Sequence, residues 1–345
     1  MDMGNRVESG YVEYAIRHED WRDVPRIAEL HAEAFDYSAG MGEVALTDAL
    51  RRRRLHAPRL SLVAKSEGRV AGHAMFSLYE ARIGGARVRA SILAPVAVAK
   101  EFRGQGVASA LIEEGHRVLE EMGVKVGLVL GHPGYYPRFG YVTGMFGTCR
   151  LKVARAAIDA ARLEERRVGR DDIPALQRMW ELWHGDVDLA LAVGDDLADW
   201  ISPDRRFRSV VLERGGEMCG FVKYRNDRPQ APELVLAQDG GAMAELLGHL
   251  AALGVDADGR VAGPAGAAGS REPGPLYLPL HPGARAVREL LRMPYEAETN
   301  VWDAGMLRVF GEGTAEEAAV YMKEVKEGIR LPGLVIWPSA FDVCS

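Results

Sequence analysis

A sequence repeat constrains this chain more than any other feature. The segment "RDVPRIAEL" (22–30) is answered by "DDIPALQRM" (171–179), so that Asp23, Val24, Pro25, Ile27 and Leu30 stand 149 positions before Asp172, Ile173, Pro174, Leu176 and Met179. "SLVAKSEGRVAGH" (61–73) is answered by "SVVLERGGEMCGF" (209–221), with Ser61, Gly68 and Gly72 matching Ser209, Gly216 and Gly220 at an offset of 148. A third match pairs His132-Pro133-Gly134 with His281-Pro282-Gly283, again 149 apart. Glycine and proline punctuate any chain, but three matches in order at nearly one offset indicate a duplicated domain. At 345 residues the chain also exceeds one average domain. The expected division is 1–165 and 166–345, with the charged stretch 160–172 as linker. A helix-like "TAEEAAVYMKEVKEG" and an apolar "GLVIWP" extend the second copy.

The two copies read alike. An acid–apolar–Pro start opens a helix, because proline is tolerated in a first turn. Two apolar runs around a polar, glycine-containing turn then predict a hairpin. A strand, a helix ("SALIEEGHRVLEEM"; "AMAELLGHLAAL") and another strand follow. The class is mixed α/β, with one strand–turn–helix–strand unit per copy.

Composition excludes several functions. A formal net charge of −6 leaves no basic excess to meet phosphates, so nucleic acid is not an expected partner. Cys149, Cys219 and Cys344 lack CxxC spacing, and the histidines form neither HxH nor HExxH, so no metal is expected. No apolar run approaches the roughly 18 residues of a membrane span, and the expectation is a cytoplasmic protein without a membrane partner. The basic run 50–59 and the acids Asp186, Asp188, Asp195, Asp196 and Asp199 read as solvated surface, and Trp180, Trp183 and Trp200 as core.

The chemistry concentrates in "PVAVAKEFRGQGVASALI" (95–112). It reads as a strand ending near Val98, a turn through Arg103, Gly104, Gln105 and Gly106, and a helix from about Val107. Glycines allow a tight turn that aims N–H groups into one concavity, and the helix end adds unpaired donors and positive potential. Such a site suits a pyrophosphate. No GK[ST] follows, so this is not a Walker loop.

Arg103-Gly104-Gln105-Gly106-Val107-Ala108 resembles the [RQ]xxGx[GA] motif of the GNAT superfamily of acyl-CoA N-acyltransferases, and "VLGHPGYYPRFGY" (129–141) resembles the YYxRFGF element of its Eis-like branch. The resemblance covers about 50 contiguous residues. It implies tandem GNAT folds with acetyl-CoA lying between two splayed strands. Val96 and Val98, with Ala97 between them, would bond the pantetheine amides; Arg103 and residues Gly104, Gln105, Gly106, Val107, Ala108 and Ser109 would hold the pyrophosphate. Gly131 and His132 would flank the thioester, and Tyr136 would protonate the leaving thiolate, with Tyr135 as rival.

The general base stays open. Some family members carry a glutamate where this chain has Ile92; Glu33, Asp36, Glu43, His73, Glu80 and the C-terminal carboxylate of Ser345 are the candidates. In the second copy the turn shrinks to Gln238-Asp239-Gly240-Gly241, without arginine and with an added carboxylate. An active first copy and a degenerate second copy are therefore expected. The acceptor would be a small-molecule or peptide amine, with homo-oligomerisation undecided. The rival function is a non-catalytic acyl-CoA-binding sensor.

Overall fold

In this computed structural model the described residues are 5–9, 12–35, 41–53, 55–255, 261–262, 274–311 and 315–344. The first half runs β1 (Asn5–Ser9), β2 (Val12–His18), α1 (Val24–Ala34), α2 (Gly42–Arg51), β3 (Ser61–Ser66), β4 (Arg69–Ile83), β5 (Ala86–Val98), α3 (Val107–Glu121), β6 (Val126–Leu130) and β7 (Gly147–Val153). The second runs β8 (Glu164–Arg167), α4 (Ile173–His184), α5 (Leu197–Trp200), β9 (Phe207–Arg214), β10 (Glu217–Arg225), β11 (Leu234–Ala237) and α6 (Gly240–Ala252). It continues through β12 (Gly254–Val255), β13 (Val261–Ala262), β14 (Leu276–Leu278), α7 (Arg285–Leu290), β15 (Glu296–Val301), β16 (Gly305–Val309) and α8 (Ala315–Lys326).

The repeat is visible in local geometry. The β3–β4 turn has positive φ at Glu67 and Gly68 (48° and 79°), and the β9–β10 turn has it at Gly215 and Gly216 (59° and 84°). Two central residues with φ above zero give the hairpin turn whose twist matches its strands. Helices α1 and α4 both carry proline in their first turn. Helix α3 packs closely on the first sheet: a Cβ on Gly115 would lie 2.0 Å from the Phe76 ring, and one on Gly72 would lie 2.8 Å from Val107. Glycine is needed at both points of approach.

The sheets do not follow the chain's division. The first has the order β1-β2-β3-β4-β5-β6-β16, the second β11-β10-β9-β8, and a third β14-β7-β15. Strand β16 pairs antiparallel with β6 from Gly305↔Leu130 to Val309↔Val126. Strand β7 leaves the first half and pairs with β14 and β15. Each half is thus completed by a strand from the other. The charged linker also holds structure: Glu164–Arg167 forms β8 and pairs with β9, its Arg166 held by Asp172 and Glu213. Trp180, Trp183 and Trp200 are buried in the core of the second half. Several of the supposedly solvated charges are structural: Arg53 pairs with Asp199 at 3.1 Å and Arg330 with Asp188 at 3.1 Å.

A stability prediction follows from the exchange. Met306, Leu307 and Phe310 are at most 1% exposed, and Met306 and Phe310 belong to the cluster beneath α3. At about 2–3 kcal/mol per buried side chain their removal costs roughly 6–9 kcal/mol, the size of a domain's whole stability. A fragment of residues 1–165 should therefore lose cooperative unfolding. Cooperative melting near the Tm of the full chain would contradict this.

Candidate active site

The glycine turn is open. Gly104 and Gly106 have φ of 78° and 80°, a region that side-chain-bearing residues rarely adopt. A Cβ on Gly104 would meet nothing within 4 Å, and one on Gly106 only the Tyr14 hydroxyl at 3.8 Å. Gly106 is the N-cap of α3 and no side chain caps the helix, so the N–H groups of its first turn face the concavity uncapped. Arg103 turns back instead of reaching over the turn: its Nε donates to the Val98 carbonyl at 3.2 Å.

The adjoining strands splay. Strand β5 pairs in parallel with β6 only at Ala90↔Val126, Ser91↔Gly127 and Ile92↔Leu128. Beyond Ile92 it keeps β4 alone, across a bulge opposite Pro95, a residue with no N–H to offer. Ala99 donates to the Ala71 carbonyl, so strand alternation gives the backbone groups of Ala97 to β4 and turns those of Val96 and Val98 toward the gap.

The gap leads into a cavity of about 890 Å³ lined by Leu93, Pro95, Val96, Gly131, His132 and Tyr136 at its first-half end. Tyr136 lies over the end of β6: a Cβ on Gly131 would come within 2.3 Å of its ring, so glycine there makes room for it. The Tyr136 hydroxyl has no hydrogen-bond partner among the described residues, and burial with Tyr135 alongside pushes its pKa up to about 12. Tyr135 does not line the cavity; its ring packs edge-on against Phe139 under the Arg138 guanidinium. The exchanged strand braces this element, since Arg308 donates to the Phe139 carbonyl and lies 2.8 Å from His116 Nδ1, and Gly131 N donates to Ala304 O at 3.1 Å.

Among the base candidates, Glu43 lines the cavity, as does Ile92. His73 is fully buried away from it, with Nδ1 2.9 Å from His31 Nε2 and Nε2 3.0 Å from Ser61 Oγ, and burial lowers its pKa. Glu33 and Glu80 are exposed and do not line the cavity. Asp36 and Ser345 lie outside the described residues.

No motif points to the rest of the wall. Lys223, Arg228, Glu233 and Tyr277 come from the second half, and Leu334, Trp337, Phe341 and Asp342 from the C-terminal segment. Lys223 Nζ lies 3.0 and 3.1 Å from the two Asp342 carboxylate oxygens, a buried pair that ties this segment to β10. Burial pushes the Asp342 carboxyl pKa up and Lys223 opposes that. These residues belong to no local motif; the tertiary fold alone brings them to Tyr136.

The corresponding turn of the second half is closed. Asp239 caps α6, accepting from Ala242 N at 2.8 Å, and a Cβ on Gly240 would lie 2.4 Å from the Leu290 carbonyl oxygen. At the end of β11, Trp183 Nε1 donates to the Ala237 carbonyl at 2.7 Å. Among the described residues no group of three or more His, Cys, Asp or Glu side chains could hold a metal ion, and no helix is long and apolar enough to cross a membrane.

Comparison with known proteins agrees with this geometry. A family model described as an acetyltransferase (GNAT) domain matches residues 15–144. The uncharacterized N-acetyltransferase YjhQ of Escherichia coli K12 is 37% identical over 122 residues, 35% of this chain and 66% of that protein. The uncharacterized N-acetyltransferase YhbS of the same organism is 36% identical over 153 residues, 44% of this chain and 87% of its own length. A GCN5-related N-acetyltransferase from Kribbella flavida shares the fold at a TM-score of 0.61 and 20% identity, covering 88% of this chain and 72% of its own. The open turn, the splayed strands and these matches together make the chain a member of the GNAT family of N-acetyltransferases.

Proposed function

We propose that the chain transfers the acetyl group of acetyl-CoA to a primary amine bound in the cavity, by direct attack in a ternary complex. The observation that carries this is the Tyr136 hydroxyl, without a partner among the described residues and lining the cavity where β5 and β6 part. The pyrophosphate lies on Gly104 to Ser109, with Arg103 releasing Val98 to reach it. Val96 and Val98 hold the pantetheine, Ala97 keeps their strand on β4, and Gly131 and His132 flank the thioester. Glu43, the cavity-lining carboxylate among the base candidates, takes the proton of the amine directly or through water.

A phenol at about 12 does not hand its proton freely to a thiolate whose thiol is nearer 8.5. The gap of roughly 3.5 units, about 5 kcal/mol, narrows because the same dry cavity raises the thiol's pKa. Tyr136 therefore acts first as a hydrogen-bond donor to the departing sulfur, and the proton moves as the C–S bond breaks.

Residues 1–165 form the active copy and residues 166–345 a degenerate one whose remaining task is to wall the acceptor cavity. The Asp239 cap, the Leu290 carbonyl and the Trp183 bond support this, since each occupies what the first half leaves open. The test is release of free CoA from acetyl-CoA across small amines, aminoglycosides, peptide N-termini and protein lysines. Amine-dependent release is expected from at least one class. Tight acetyl-CoA binding with no release from any of them would favour the sensor reading.

A further inference from the structure

The second-half wall of the cavity carries charges that acetyl transfer leaves unused. Lys223 and Asp342 neutralise each other, and both are buried. Arg150, which faces the cavity from β7 of the first half, is held by Glu298 at 2.9 Å, and Arg225, which does not line the cavity, by Asp227 through two bonds of 2.9 and 3.0 Å. Two groups remain. The Glu233 carboxylate lines the cavity with no hydrogen bond or ion pair among the described residues; Lys223, Asp342, Arg225 and Arg228 reach it only through longer-range charge interaction. Arg228 also lines the cavity, and its nearest carboxylate oxygen, on Asp227, is 3.9 Å away and already taken by Arg225.

The backbone fixes both residues in place. Arg228 N donates to Arg225 O at 3.0 Å, Ala231 N to Arg228 O at 3.0 Å, and Glu233 N to Lys223 O at 2.7 Å. Both side chains are exposed and so open to a ligand entering the cavity; neighbouring protein crowds the Glu233 carboxyl enough to raise its pKa, and the cations Lys223, Arg225 and Arg228 oppose that rise. A ligand bringing only an ammonium would meet Arg228 as well, and one bringing only a carboxylate would meet Glu233. A ligand bringing both charges satisfies each group and repels neither.

We propose that Glu233 and Arg228 select the acceptor by taking the ammonium and the carboxylate of an amino-acid-like end, so that a second amine extends toward Tyr136. Guanidinium matches carboxylate in a bidentate fork, which suits Arg228 to this task. The substrate class is an α-amino acid, or a molecule ending in one, that bears a further primary amine. This rests on reading the cavity as the acceptor site.

The test is calorimetric titration of three probes into the full chain saturated with CoA. L-lysine carries both end groups, pentane-1,5-diamine lacks the carboxylate, and 6-aminohexanoate lacks the α-ammonium. L-lysine should bind about tenfold or more tightly than either of the others, one good charge-assisted contact being worth that much. Glu233→Gln should bring L-lysine down to the level of 6-aminohexanoate, and Arg228→Gln down to that of the diamine. The inference is overturned if L-lysine binds no better than the other two, or if a variant with an unchanged Tm weakens all three alike. Acetyl transfer is followed in parallel with the same probes. Selective binding without transfer would sink the enzymatic reading and leave the recognition site standing.

Discussion

Gly106→Asp should abolish CoA binding while the protein stays folded. Gly106 has a φ of 80°, and aspartate is one of the few other residues that visit this region. It also stands at the N-cap of α3, where aspartate is a favoured residue, which offsets part of the roughly 1 kcal/mol that a side chain costs at this φ and leaves the protein folded. The carboxylate would accept from the N–H groups that the pyrophosphate needs and would place a negative charge beside it. Asp239 already makes such a cap on α6 in the second half. The variant should bind CoA at least about a hundredfold more weakly, close to 3 kcal/mol. The unaltered chain should take up one CoA. Two sites per chain would show that the capped turn of the second half still binds, and undiminished affinity in the variant would remove the turn from the cofactor site.

What could be read from the sequence was local. Hairpins announce themselves through residues at positive φ, as at Gly68 and Gly216, and the open turn through Gly104 and Gly106. Tyr136 was singled out only through the resemblance of "YYPRFGY" to a family element, whereas the seat of its ring against Gly131 is a feature of the fold. The exchange of β7 and β16 was not legible. Both are short strands whose local pattern fits either sheet, and their partners, β14 and β6, lie more than a hundred residues away in the chain. Strand β8 was hidden for another reason: "EERR" carries no alternation of apolar residues, and its place is earned by the pairing of Arg166 with Asp172 and Glu213. The far wall of the cavity was beyond any motif: Lys223 and Glu233 adjoin across the β10–β11 pair and Asp342 joins Lys223 from the C-terminal segment, but only the tertiary fold sets them around the same cavity as Tyr136.

The sharpest chemical test is Tyr136→Phe. The phenol makes no hydrogen bond among the described residues, and the ring's contacts with Gly131, Tyr135 and Tyr141 survive the change, so Tm and CoA affinity should hardly move. Turnover should fall about 10²–10⁴-fold, the range for loss of a general acid. The loss should appear equally in kcat and kcat/KM, because the hydroxyl is needed only as the thiolate departs. With its pKa pushed up to about 12, the phenol of the unaltered enzyme stays neutral through the usual assay range, so ionisation of Tyr136 should cause no fall in rate below about pH 10. A donor with a far less basic leaving thiol should recover part of the variant's rate, since that thiol departs without help. Tyr135→Phe, packed outside the cavity, should turn over normally. If Tyr135 rather than Tyr136 proves essential, the acid is its neighbour; if neither matters, the departing sulfur takes its proton from solvent or from the attacking ammonium.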